Sequence, residues 1–146
     1  MNRGMSLLEV LVVLAVIAIL AGFAVLDHQA MRPRLDLRTA ARQVVLDLRV
    51  ARMRAIAENV NHRVVFPTGA GGYQHQRKSG GGYADDGVVV SLPRGIVIGD
   101  CTAPDNGISF KPRGNAATFG TVTLRNRTGD EQRVVVDIAG QARVQG

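Results

Sequence analysis

Residues 1–26 read MNRGMSLLEVLVVLAVIAILAGFAVL, and one side chain in this run is out of keeping with the rest. Glu9 is the only ionisable residue between Arg3 and Asp27. A carboxylate at membrane depth costs roughly 2.5 to 3.5 kcal/mol on insertion scales, so its presence needs a reason. From Val10 to Leu26 the chain holds 17 uncharged, mostly apolar residues. As a helix they span about 25 Å at about 1.5 Å per residue. With Met5–Leu8 added, the run is long enough for a bilayer, which takes about 17 to 25 residues. A secretory signal peptide cut after Ala24 fits the small residues of Gly22-Phe23-Ala24. An uncleaved signal anchor fits the length equally well. Neither has a use for Glu9.

The stretch Gly4-Met5-Ser6-Leu7-Leu8-Glu9-Val10-Leu11 resembles the type III signal of type IV pilins and of the pseudopilins of type II secretion. That resemblance implies a short basic leader, residues 1–4, removed after Gly4 by a membrane-embedded prepilin peptidase. The new N-terminus at Met5 would be methylated, and Glu9 would become the fifth mature residue, where the family has its glutamate. Met5 departs from the phenylalanine usual at that position. The physics is consistent with this resemblance. Cleavage leaves an ammonium at Met5, four residues before Glu9 and so on the same helix face. A carboxylate in a low dielectric is tolerable only when paired or neutralised. The ammonium of a neighbouring subunit would pair with Glu9 as helices bundle, fixing their axial register. Other pilin or pseudopilin subunits and an inner-membrane assembly platform are the partners this implies.

The remaining sequence is short enough for one domain behind that segment. The whole chain of 146 residues carries 18 basic against 12 acidic side chains, a formal charge of +6. Only Lys78 and Lys111 among the basic residues are lysines. Arginine suits carboxylate and phosphate partners because its fork binds both bidentately. Cys101 is alone, which excludes an intramolecular disulfide, and it reads as a small, partly buried side chain. The absence of tryptophan and the 4% aromatic content argue against a carbohydrate or base-stacking platform.

Beyond Asp27 the sequence Arg32-Pro33-Arg34 predicts a break or kink, because proline removes a helical hydrogen bond. A second helical pattern runs from about Leu35 to Asn59. Leu37, Ala41, Val44, Leu48, Ala51 and Ala55 alternate spacings of four and three, one apolar stripe. Arg38, Arg42, Arg49, Arg52 and Arg54 lie mostly off it and read as a solvated face. From Asn61 the texture changes to short β-type runs. Strands are expected at 62–66, 72–77, 87–92, 96–98, 108–110, 118–125 and 133–138, the last two long ones forming a hairpin about Asn126–Asp130. The glycine clusters 69–72 and 80–82 read as turns, since neither precedes Lys-Ser/Thr or opens a helix.

One long helix followed by an all-β region resembles the GspH/FimT subgroup of pseudopilins and minor pilins. Phe110-Lys111-Pro112-Arg113-Gly114, then Thr121–Leu124, then Arg133–Ile138 leading into Gly140-Gln141-Ala142-Arg143, is similar to that family's ending. The implied fold is α+β and type IV pilin-like: a long N-terminal helix, half membrane and half amphipathic, packed on an antiparallel β domain. The implied organisation is a leader at 1–4, a transmembrane assembly helix at 5–27, its amphipathic continuation at 28–60 and a periplasmic β domain at 61–146. The chain would be a minor subunit of a type II secretion pseudopilus or a type IV pilus, anchored once in the bacterial inner membrane.

No catalytic constellation is evident, and the chain reads as a non-enzyme without metal or cofactor. His28, His62 and His75 show no ligand spacing with one another or with Cys101. Asp85-Asp86-Gly87 and Asp105-Asn106-Gly107 are turn-like and offer too few oxygens for calcium. Nucleic acid is the alternative partner. Some FimT members act in DNA uptake and resemble one another in a C-terminal Gly-Arg-x-Arg motif. Here Gly140 and Arg143 match, while the first arginine is Gln141. Lys111, Arg113, Arg125, Arg127 and Arg133 would add charge if they shared a face with Arg143.

Overall fold

The computed structural model describes residues 7–145, with the side chains of residues 22–33 outside the description. The expected leader, residues 1–4, and the expected cleavage point between Gly4 and Met5 therefore lie outside the described residues. Two compact units make up the chain, residues 1–32 and 33–146.

A single helix, α1 (Leu7–Glu58), opens the described chain. The helix continues through Pro33, so the expected break does not end it. Proline costs a helix interior about 3 kcal/mol, and long runs of good helix formers on both sides outweigh that local loss. α1 stops where Asn59 turns left-handed at φ 54°, the usual way a helix ends without glycine.

All six residues of the expected apolar stripe are buried, together with Ala40 and Val45. Four of these eight are alanines, which let the helix lie close against the strands. Tyr73 Oη donates a 2.5 Å hydrogen bond to Asp47 Oδ2, tying α1 to the β domain. Burial first, and then the Asp47 carboxylate, hold the Tyr73 hydroxyl well above its ordinary range, so it stays protonated and donating.

Among the described residues ten strands follow: β1 (His62–Val65), β2 (Gly72–Ser79), β3 (Gly82–Asp85), β4 (Val90–Ser91), β5 (Val97–Cys101), β6 (Gly107–Phe110), β7 (Ala116–Thr118), β8 (Gly120–Arg125), β9 (Glu131–Val136) and β10 (Ala142–Gln145). All pair antiparallel. The first sheet runs β3-β2-β1-β6-β7, with β4 also on β2, and the second runs β10-β9-β8-β5. Alternation decides which side faces the core: Val122, Leu124, Val134 and Val136 point in. Phe66, Tyr73, Phe110, Ile98 and Ile108 fill the rest of that core.

The β8–β9 hairpin forms as expected, with Arg125 opposite Glu131. Its turn is organised by Asn126 Oδ1, which accepts from the backbone N–H groups of Thr128 and Asp130. Three expectations need correction. Gly80 and Gly81 form a two-residue reversal into a strand, β3, with Ser79 opposite Gly82. The expected strand at 118–125 is two strands in different sheets, β7 on β6 and β8 on β5. Between them Gly120 passes so close to Ala103 N and Thr102 Oγ1 that a Cβ would sit at 2.9 and 2.8 Å. Residues Ala142–Gln145, where no strand was expected, form the edge strand β10. Cys101 is buried, and burial pushes its thiol up, so it is a packing residue rather than a nucleophile.

Candidate assembly and binding surfaces

The described start of α1, Leu7–Ala21, has no polar face. From Leu7 to Ala21 every side chain is exposed, and the large ones include Leu7, Leu11, Leu14, Ile17 and Leu20. A helix that is apolar all round belongs inside a membrane or among other helices. Among the described residues no helix is long and apolar enough to cross a membrane, and the described side chains of this run stop at Ala21. Glu9 stands in the first turn of α1 and is exposed. A carboxylate at that end is favoured by the helix dipole, by about 0.3–1 kcal/mol at an exposed site.

The seven candidate binding residues do not form one patch. Arg125 is occupied by Glu131, its Nη2 lying 2.6 Å from Oε1. Arg133 is 4.0 Å from the same carboxylate's second oxygen. Arg127 belongs to the turn at that end of the hairpin and lies against Gly95. Lys111 and Arg113 sit on the β6–β7 turn, beside Asn59 and Asn61 in a shallow cavity of about 480 Å³. That turn adjoins the β9–β10 turn, since Ala116 N donates to Ile138 O at 3.1 Å. Arg143 stands opposite Val135 and Arg133 opposite Gln145, so both project from the outer face of the second sheet. The basic residues thus divide between the two ends of that sheet.

Gly140 has a structural task. It adopts φ 77°, donates its N–H to Asp137 O at 2.9 Å, and packs so tightly on Gly114 O that a Cβ has no room. Gly140→Ala is therefore expected to cost at least about 1–3 kcal/mol from backbone strain alone. A lowered urea midpoint would register it, and an unchanged midpoint would show that the turn relaxes freely.

Sequence reasoning missed what the helix arginines do. Arg52 Nε donates to Gly114 O at 2.6 Å, and Arg49 Nη2 donates to Ala142 O at 3.4 Å. Arg54 Nη1 reaches Asp86 Oδ2 at 3.1 Å, and Arg34 lies 3.7 Å from Asp130. The Asn126 amide and the Thr128 hydroxyl hold the Asp130 carboxyl below its usual range. Only Arg38 and Arg42 keep the expected solvated character, with no ion pair among the described residues. A second polar cluster closes the C-terminal end of α1. His62 is buried with Nε2 3.3 Å from Glu58, too poorly aimed for a hydrogen bond, while Arg77 Nε pairs with Glu58 at 2.8 Å. Among the described residues no group of His, Cys, Asp or Glu could hold a metal ion.

A long N-terminal helix, its second half packed on antiparallel sheets, is the type IV pilin-like fold. The chain belongs to the family of the type II transport protein GspH, whose model matches residues 40–140. The prokaryotic N-terminal methylation motif matches residues 1–25. Two solved structures show the same fold. The minor pseudopilin EpsH from the type 2 secretion system of Vibrio cholerae is 14% identical with a TM-score of 0.62, the match covering 76% of this chain and 97% of that one. The type IV minor pilin FimU of Pseudomonas aeruginosa is 14% identical with a TM-score of 0.59, covering 77% and 90%. No curated protein sequence matches the chain. The family consists of structural pilin and pseudopilin subunits.

Proposed function

We propose that this chain is a minor subunit of a type II secretion pseudopilus or a type IV pilus. Prepilin peptidase cuts after Gly4, Met5 is methylated, and the mature helix anchors the chain once in the inner membrane with the β domain in the periplasm. An inner-membrane platform then adds it to the filament, where Glu9 sets its register. The observation that carries this reading is the all-round apolar helix from Leu7 to Ala21, interrupted by Glu9 alone. Such a surface requires other helices or lipid around it, and one acid in it requires a cation.

Replacement of the leader glycine tests the processing step. Gly4→Val is expected to leave the chain uncleaved, visible as a slower band in membranes of cells that hold the peptidase. Normal cleavage of that variant would remove the leader assignment.

The DNA-uptake reading draws support from Arg143 and Arg133 on one outer sheet face. It is weakened by the ion pairs of Arg125 and Arg133 with Glu131 and by Gln141 in place of an arginine.

A further inference from the structure

We infer that the open edge of β10, with the arginines of α1 beside it, receives an extended acidic segment of a partner protein as an added strand. β10 is the end strand of its sheet. Asp137 N donates to Gln141 O, which sets the phase of the β9–β10 ladder. Alternation in an antiparallel pair then turns the N–H and C=O groups of Ala142 and Val144 outward. Arg49 already caps the Ala142 carbonyl, whereas Val144 lines a groove of about 290 Å³ with Arg38, Arg42 and Gln132. Unpaired strand edges are templates for another strand unless something blunts them.

The charge around this edge selects the occupant. Arg38 and Arg42 are one turn apart, exposed, and without an acidic partner among the described residues. Arg143 flanks the same strand on its outer face. Two free guanidinium forks on the groove side match carboxylates on alternate residues of an incoming strand. The edge itself offers a donor and an acceptor together, which a peptide backbone satisfies and a phosphate, an acceptor only, does not. The inference stands on this geometry and does not depend on which filament the chain joins.

The test uses the full chain in detergent micelles and the peptide fluoresceinyl-Asp-Val-Glu-Val-Asp-Val-amide, with the dye on its N-terminal amine in place of an acetyl cap, followed by anisotropy at low salt. Saturable binding is expected. Exchanging both groove arginines, Arg38→Glu with Arg42→Glu, should weaken it at least tenfold, the loss of roughly one charge-assisted contact. These positions are exposed, so circular dichroism should be unchanged. N-methylating alternate amides of the peptide should weaken binding as strongly, because it removes backbone donors and leaves every charge. Equal affinity for the N-methylated peptide, no binding at low salt, or a short duplex DNA that binds more tightly through the same two arginines would each overturn the inference.

Discussion

Glu9→Val is expected to leave the chain inserted and cut after Gly4, yet to exclude it from filaments. The variant makes the apolar run more hydrophobic by about 3 kcal/mol on insertion scales, so membrane insertion cannot be what fails. Valine is also tolerated in a helix at a cost below about 0.7 kcal/mol, so α1 persists. What disappears is the one group in the run able to pair with a neighbour's Met5 ammonium. Removing one member of a desolvated charge pair costs about 2–5 kcal/mol, equivalent to roughly thirtyfold or more in incorporation. Quantifying the chain in sheared filaments against the membrane fraction measures this. Normal incorporation of the variant would end the register argument.

The largest expected loss of folding stability comes from Phe110→Ala. Phe110 ends β6 opposite His62, on the strand shared between β1 and β7, and it is fully buried. Truncating a buried phenylalanine leaves a cavity and costs about 3–5 kcal/mol, a large part of the 5–15 kcal/mol typical of a domain. The neighbouring aromatic supplies the control. Phe119 is 51% exposed between β7 and β8, and Phe119→Ala should stay within about 0.5 kcal/mol. Urea melts of both variants measure the difference. Similar midpoints would mean that the core is not centred where the sheets and α1 meet.

Much of this architecture was legible in the residues because periodicity survives without context. The stripe from Leu37 to Ala55 repeats at helical spacing and is buried throughout. The alternation of β8 and β9 about Asn126–Asp130 marks a hairpin in the sequence and forms one. Other elements left weaker traces. β10 has only Ala142 and Val144 on its inner face, too little apolar signal to separate a strand from a tail. β3 begins within a glycine cluster whose composition reads as turn. Pro33 lacks a helical donor, and its residue type carries no account of the long helix that continues past it.

Site legibility divides along the same line. The Gly4, Met5 and Glu9 assignments rest on a local motif, with the first two outside the described residues. The basic residues could not be grouped from their order in the chain. Arg125 and Arg143 project from one sheet but toward opposite ends, and only strand register reveals that. Likewise nothing in the sequence separates Arg49 and Arg52, which reach backbone carbonyls, from Arg38 and Arg42, which line a groove and make no ion pair among the described residues.

The central claim is that Glu9 acts from a terminus that cleavage creates. Mass spectrometry of the N-terminal peptide of the chain, recovered from membranes of cells with an active prepilin peptidase, tests it most directly. The account predicts a peptide beginning at Met5 and carrying one methyl group on its amine. A chain beginning at Val25, or one retaining residues 1–4, would contradict it.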